Sequence, residues 1–110
     1  MNGGYTTLTV EATGTDSTVL KIPRRVAFLA FRFPSTFTGT KISFLASSEL
    51  DGTFEPVKLD GTLIELTVAA STWAALPAAT LAALMSMLYL KVKCATAQGS
   101  LCPIGVAVKD

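Results

Sequence analysis

Apolar and polar residues alternate along much of this chain with a period of two, which is typical of β-strands that have one buried face. In residues 41–47, for example, Ile42, Phe44 and Ala46 alternate with mostly polar neighbours. Strands are predicted in the following ranges: 5–12, 18–22, 25–33, 41–47, 53–58, 62–69, 87–95 and 101–109. Because turns separate them at intervals of about eight to twelve residues, they predict an all-β protein, an antiparallel β-sandwich or jelly roll of about seven to eight strands.

Two Asp-Gly turns fold the middle of the chain into a meander. Asp51-Gly52 and Asp60-Gly61 lie nine positions apart, and each is followed by Thr. Asp-Gly between strand-like runs is a strong hairpin signal, because glycine accepts a positive φ without steric cost. Pro56 lacks the amide proton that a ladder needs, so the strand at 53–58 is predicted to lie at a sheet edge or to contain a bulge.

One predicted strand, residues 25–33, is apolar on both faces. Such a strand is covered on both sides, either by the partner sheet and a loop or by a neighbouring subunit. A central strand of the sandwich is the favoured interpretation.

One short helical segment is predicted near residues 72–84. Ser71 or Thr72 is a candidate N-cap, which would place Trp73 in the first turn, and residues 78–84 have good helix propensity.

The run from 66 to 90 contains no charged residue and is long enough to cross a membrane. Pro77 lies inside the run and strand alternation continues on both sides of it, so a membrane span is not favoured.

The length and charge of the chain limit its organisation and partners. Its 110 residues have room for one core, so 1–110 is predicted to form a single domain, with the polar, glycine-bearing residues 1–7 as an N-terminal arm that orders on a partner. The net charge is +1 and only 15% of residues are charged, which argues against nucleic-acid binding. Half of the residues are hydrophobic, which suits a protein embedded in an assembly.

The sequence offers little chemistry for catalysis. It has no histidine, which removes Ser-His and Cys-His pairs and the commonest zinc ligand. Glu49, Asp51 and Glu55 crowd around one turn, but they lack the ligand spacing of a calcium loop, so a solvated turn is favoured. No catalytic residue, cofactor site or metal site is predicted, and the chain is not expected to be an enzyme.

The two cysteines, Cys94 and Cys102, are equidistant from Gln98. A hairpin centred on Gln98 would place them opposite each other, where a non-hydrogen-bonded pair is close enough for a disulfide. The alternative is two reduced cysteines, at least one of them in the core. This alternative is favoured because nothing in the sequence indicates an oxidising compartment.

Three aromatic residues are candidates for an interface. Phe33 ends the strand that is apolar on both faces, and Phe37 lies in the following loop, where it either plugs one end of the core or forms an exposed contact. Trp73 lies at a segment boundary, and Trp is the commonest residue at interface hot spots. A sugar-stacking platform is the alternative use of exposed aromatics.

The stretch I-S-F-L-A-S-S-E-L-D-G-T-F-E-P-V at 42–57 is followed later by Y-L-K-V-K at 89–93. These stretches resemble small proteins encoded among the virion structural genes of tailed bacteriophages. In that group, a strand of the type I-x-F-x-A-S leads into D-G-T-F-x-P-V, and a strand of the type Y-L-K-[IV]-[KR] follows later. The resemblance covers roughly residues 40–98, and the matching positions are Phe44, Ser47, Asp51, Gly52, Phe54, Pro56 and Leu90.

The resemblance implies a non-enzymatic virion protein of the capsid decoration or stapling type. Such a protein would be assembled in the bacterial cytoplasm, bind the major capsid protein on the capsid exterior and self-associate. A head–tail, neck or tail component of the same virion and a carbohydrate-binding β-sandwich module are the alternatives. A small membrane protein of the lysis type is less favoured.

Overall fold

The computed structural model describes residues 3–22 and 28–109. Residues 25–27 of the predicted third strand therefore lie outside the described residues. The strands in chain order are β1 (Gly3–Val10), β2 (Leu20–Lys21), β3 (Phe28–Phe33), β4 (Lys41–Ser47), β5 (Glu55–Pro56), β6 (Lys58–Leu59), β7 (Thr62–Leu63), β8 (Glu65–Thr67), β9 (Thr72–Ala75), β10 (Tyr89–Cys94) and β11 (Cys102–Lys109). The helix α1 (Ala78–Met85) lies between β9 and β10.

Two antiparallel sheets pack face to face. The first sheet has the order β1-β11-β3-β9. The second has the order β2-β10-β4-β5, with β8 also paired to β4, and β6 and β7 form a separate two-stranded ribbon. The prediction of an all-β sandwich is confirmed.

The core lies between the two sheets and is built from their inward-facing residues. Phe31 of the first sheet packs against Phe44 of the second, with ring centroids 5.8 Å apart, and Leu84 of α1 is fully buried beside them. The largest fully buried apolar side chains are Phe31, Phe33, Phe44, Ile42, Leu84, Leu90, Ile104, Val10, Val92 and Val106.

Strand β1 pairs with β11 along its whole length, from Gly3 opposite Lys109 to Val10 opposite Cys102. This corrects the expectation of an N-terminal arm: residues 3–7 belong to the sheet, while residues 1 and 2 lie outside the described residues. The physical reason is that β11 supplies backbone partners along the whole length of β1, although residues 4–7 are exposed.

The predicted hairpin centred on Gln98 is wrong, because β10 and β11 belong to different sheets. β10 pairs with β2 and β4, whereas β11 pairs with β1 and β3. Each of the two strands has an apolar face, and these faces bury against each other across the core instead of lying side by side. The connection 95–101 therefore crosses from one sheet to the other.

The central meander contains the predicted strand 41–47 with the same bounds, β4. The Asp60-Gly61 turn joins β6 and β7, and both of its residues have positive φ, 52° and 78°. The Asp51-Gly52 turn lies in a longer loop, in which the Gly52 N–H donates to the Glu49 carbonyl oxygen. Pro56 lies in the edge strand β5, as predicted.

The predicted strands 53–58 and 62–69 are each shorter than expected, because the chain leaves the sheet between them. The Val57 N–H donates to the carbonyl oxygen of Phe44 at 2.9 Å, and the Ile64 N–H donates to that of Val57 at 3.2 Å. The ribbon β6–β7 therefore projects between β5 and β8, which pair with successive parts of β4.

The helical segment is confirmed at Ala78–Met85, but it does not begin at Ser71 or Thr72. Residues 72–75 instead form β9, which completes the edge of the first sheet by pairing with β3. The helix begins after its N-cap residue Pro77, whose carbonyl oxygen accepts the Leu81 N–H at 2.8 Å. Across residues 3–22 and 28–109, no helix has the length and apolar character that crossing a membrane requires.

One end of the sandwich is held by a buried glutamine. The Gln98 side chain is 1% exposed; its Oε1 accepts the Thr38 N–H at 2.9 Å, and its Nε2 donates to the carbonyl oxygens of Thr38 (2.8 Å) and Thr96 (3.1 Å). Its backbone N–H donates to the Gly14 carbonyl oxygen, and its carbonyl oxygen accepts the Thr13 N–H. Gln98 therefore ties three loops together.

Replacing Gln98 by Ala is expected to lower the free energy of unfolding by about 2 kcal/mol. The reason is that the part-buried N–H and carbonyl oxygen of Thr38 both lose the hydrogen bonds that the Gln98 side chain makes to them. Urea denaturation measures the change. Ser100→Ala, at an exposed position of the same connection, is the matched control and should leave the midpoint unchanged. Equal midpoints for both variants would contradict the role assigned to Gln98.

Candidate functional site

Two exposed aromatic side chains meet on the outer face of the first sheet. Tyr5 on β1 is 63% exposed and Trp73 on β9 is 56% exposed, although these strands form opposite edges of the sheet. Their ring centroids lie 6.4 Å apart with an interplanar angle of 65°, an edge-to-face arrangement. The two side chains therefore reach towards each other across β11 and β3.

A glycine in the centre of the sheet allows this contact. Gly105 lies opposite Thr7 on one side and Arg32 on the other, and Arg32 lies opposite Trp73. A Cβ atom at Gly105 would overlap the ring and Oη of Tyr5. The Tyr5 ring therefore occupies the space that any other residue at position 105 would fill.

Small residues make up most of the remaining surface. By register, the centre of this outer face, which we call the Tyr–Trp face, consists of Tyr5, Thr7, Ala30, Arg32, Trp73, Ala75, Gly105 and Ala107, and Lys109 lies at its end. The charged side chain at its centre, Arg32, donates from Nη1 to the backbone carbonyl oxygen of Phe33. The Tyr–Trp face is thus an apolar surface with two prominent aromatic rings.

An apolar depression of about 460 Å³ adjoins the Tyr–Trp face. Three alanines of the Tyr–Trp face form the floor of the depression: Ala30, Ala75 and Ala107. Leu76 and Leu81 lie at its side. Lys109 contributes a charge at the rim. The depression extends the apolar surface from the sheet towards α1.

The outer face of the second sheet has a different character. Lys21, Lys91 and Lys93 lie on it, and Tyr89 lies opposite Lys21 and two positions before Lys91 on β10. The Lys91 ammonium lies 4.6 Å from the centroid of the Phe54 ring, a cation–π contact. Charged side chains of this kind favour contact with water, so the two outer faces of the sandwich differ in what they can bind.

Two of the three predicted interface residues are in the core, which corrects that expectation. Phe33 is fully buried and Phe37 is 6% exposed, and their rings lie 4.8 Å apart. Phe33 faces inwards with Phe31, and the turn in which the Phe37 N–H donates to the Pro34 carbonyl oxygen folds Phe37 back onto the core. Only Trp73 of the three lies on the surface.

Sequence reasoning did not single out Tyr5 as a partner of Trp73. The alternation along the strand does indicate that Tyr5 points outwards. Tyr5 lies on the same face of β1 as Thr7 and Thr9, and the buried Leu8 and Val10 lie on the other face. The proximity to Trp73 depends on strand order, which the period of a strand does not contain.

Cys94 and Cys102 are free thiols in the core, one in each sheet. The pKa of the Cys94 thiol is raised from 9.0 to about 11, mainly by burial and to a smaller extent by the nearby Cys102 and Asp16, while a hydrogen bond from Gln98 acts in the opposite direction. Burial also raises the pKa of Cys102. Both groups are therefore protonated at neutral pH and are poor nucleophiles.

The acidic residues of the predicted solvated turn, Glu49, Asp51 and Glu55, are exposed. Among residues 3–22 and 28–109, no group of three or more carboxylates and thiols is placed to hold a metal ion.

Comparison with known proteins concerns the fold. No protein-family model matches the chain, and no curated protein matches it in sequence. Among solved structures, the chain is similar to the SPBc2 prophage-derived protein YomS, with a TM-score of 0.56 and 14% sequence identity over 99% of this chain and 96% of that one. At this identity the similarity shows a shared fold.

Replacing Gly105 by Ala is expected to displace the Tyr5 ring from Trp73. The chain has one tryptophan, so its fluorescence emission reports the change directly. Stability should change by less than about 1 kcal/mol, because the displaced group is the end of an exposed side chain. Gly4→Ala is the control, since a Cβ there would make an ordinary 3.6 Å contact with Val108. Identical emission spectra for both variants would contradict the proposed contact.

The raised pKa of Cys94 predicts a loss of stability at alkaline pH. Between about pH 9 and 11 the unfolded chain releases the thiol proton while the folded chain retains it, so the free energy of unfolding falls as pH rises through this window and is unaffected below it. Urea denaturation at a series of pH values measures the slope. Cys94→Ala removes the titrating group and should make the slope shallower; an unchanged slope would contradict the assignment.

Proposed function

We propose that this chain is a non-enzymatic structural component of a bacteriophage virion that binds the major capsid protein on the exterior of the head through the Tyr–Trp face. The observation that carries the proposal is this exposed apolar surface, which has two aromatic rings and no reactive group. Two further points support a phage role: the resemblance of residues 40–98 to virion proteins, and a fold shared with a prophage-derived protein.

The composition of the Tyr–Trp face suits protein contact. Aromatic residues bury a large area at low conformational cost, and Trp and Tyr are enriched at the centres of interfaces. The small residues Ala30, Ala75 and Ala107 lie around the rings and let a partner approach the sheet closely. Because Arg32 already has a backbone partner and Lys109 lies at the rim, covering the centre of the face removes little charged surface from water.

The lysine-bearing face of the second sheet would remain in water in this arrangement. A protein that binds through the first sheet and presents Lys91 and Lys93 outwards matches the two chemically different faces of the sandwich. The same interaction suits a head–tail, neck or tail position in the virion, which differs in the partner and not in the binding surface.

A carbohydrate-binding module is the second candidate, and the exposure of Tyr5 and Trp73 favours it. The edge-to-face arrangement of the two rings, however, does not form one flat stacking platform, since their planes meet at 65°. The protein-binding proposal therefore fits the geometry better.

The test uses phage particles assembled without this protein. The purified protein is expected to co-sediment with their heads and to raise the temperature at which the heads release DNA. Tyr5→Ala and Trp73→Ala should each weaken binding by about 30-fold, which corresponds to about 2 kcal/mol for a hot-spot aromatic. Lys93→Ala, on the opposite face, is the matched control and should bind like the native protein.

Three outcomes would contradict the proposal. Binding that survives both aromatic substitutions excludes the Tyr–Trp face. Co-sedimentation with tails and not with heads assigns the protein to the tail or neck. Binding to glycans that is lost in Trp73→Ala, without binding to heads, favours the carbohydrate-binding candidate.

A further inference from the structure

Strand β1 has one edge that the fold leaves largely uncovered. Its first edge pairs with β11 over all eight residues. On its second edge, the Thr9 N–H donates to Thr18 Oγ1 at 3.0 Å, and the Thr18 N–H donates to the Thr9 carbonyl oxygen at 2.9 Å. Because backbone groups of a strand repeat with a period of two, those of Tyr5 and Thr7 point in the same direction as those of Thr9.

The space beside Tyr5 and Thr7 is a groove between the two sheets. It has a volume of about 400 Å³ and is lined by residues 4–8 of β1 on one side and by residues 19–21 on the other. Within the part of the chain that the structure describes, the only hydrogen bonds on this edge of β1 are those at Thr9. The groove is therefore open to an additional strand.

Other sheet edges have features that prevent such pairing. The far edge of the second sheet contains Pro56 in β5 and is interrupted by the ribbon β6–β7, and the edge strand β9 has only four residues. β1 has eight residues, with no proline and no charged side chain. Long uncharged edges of this kind pair readily with another strand unless the protein prevents it.

We propose that β1 pairs antiparallel with β1 of a second copy of this chain about a two-fold axis. The two first sheets then form one continuous sheet across the dimer. The absence of charge on β1 points to a second copy as the occupant, because self-pairing places no like charges opposite each other. A two-fold contact also covers both edges at once, so the assembly closes as a dimer. This inference does not depend on the capsid-binding proposal.

The backbone restricts the register of the pair. Tyr5 and Thr7 both carry outward-pointing groups, and in the proposed dimer Tyr5 of each copy pairs with Thr7 of the other, so that each such pair exchanges two backbone hydrogen bonds. Thr6 then lies opposite its own copy on the two-fold axis as a non-hydrogen-bonded pair, in which Cβ atoms come closest. The hydrogen bonds between Thr9 and Thr18 remain in place.

Sedimentation velocity of the full chain tests the proposal. The native protein is expected to sediment as a dimer and Thr7→Pro as a monomer at the same concentration. Proline removes the outward N–H of position 7, and a proline whose missing N–H faces away from the neighbouring strand is tolerated at a sheet edge. Thr7→Val keeps the N–H and is the matched control, which should remain a dimer. A monomeric native protein, or a dimer that persists in Thr7→Pro, would overturn the proposal.

A second measurement covers the case in which Thr7→Pro does not fold, which circular dichroism would reveal. Under mild oxidation, Thr6→Cys is expected to form a disulfide-linked dimer, because the two copies of position 6 face each other. Ser100→Cys places a thiol at an exposed site in the connection 95–101, outside β1, and should stay monomeric on a non-reducing gel. Equal cross-linking of both variants, or none in Thr6→Cys, would overturn the dimer through β1.

Discussion

The burial of one sheet's inner face against the other is the constraint on which the rest of this structure depends. Phe31 and Phe44 are the central contact, and the inward positions of β1, β11, β4 and β10 surround them with apolar side chains that exclude water. Apolar area removed from water contributes about 25 cal/mol per Å² to the free energy of unfolding. Gln98 adds a buried polar side chain that joins loops at one end of the sandwich.

Because the inward faces are committed to the core, any interaction with partners falls to the outward faces and the edges, and these are not equivalent. The second sheet presents Lys91 and Lys93, whereas the first presents Tyr5 and Trp73 over a floor of small residues. Strand β11 contributes to both the core and this surface. Its Ile104 and Val106 are buried on the inner side, and on the outer side Gly105 has no side chain and so leaves room for the Tyr5 ring.

The sequence contains enough information to predict the buried face of each strand and the turns, but not which strands lie next to each other in a sheet. The alternation in residues 41–47 predicts β4 with its observed bounds, and Asp60-Gly61 forms the predicted turn because both positions have positive φ, which Asp and Gly tolerate better than most residues. The same period cannot say which strands pair, so the proximity of Cys94 and Cys102 along the chain wrongly indicated a hairpin. For the same reason Trp73 was recognised as an interface residue while its contact with Tyr5, 68 positions away, was not.

The ribbon β6–β7 has a practical consequence for work on this protein. The hydrogen bond from Ile64 to Val57 closes the chain at the base of the ribbon, so the six residues between them carry no part of the main ladder. Their side chains are exposed. An epitope or fluorophore-binding peptide inserted at Asp60-Gly61 would therefore extend into solvent, which makes this turn the natural point for labelling the folded protein without disturbing either face.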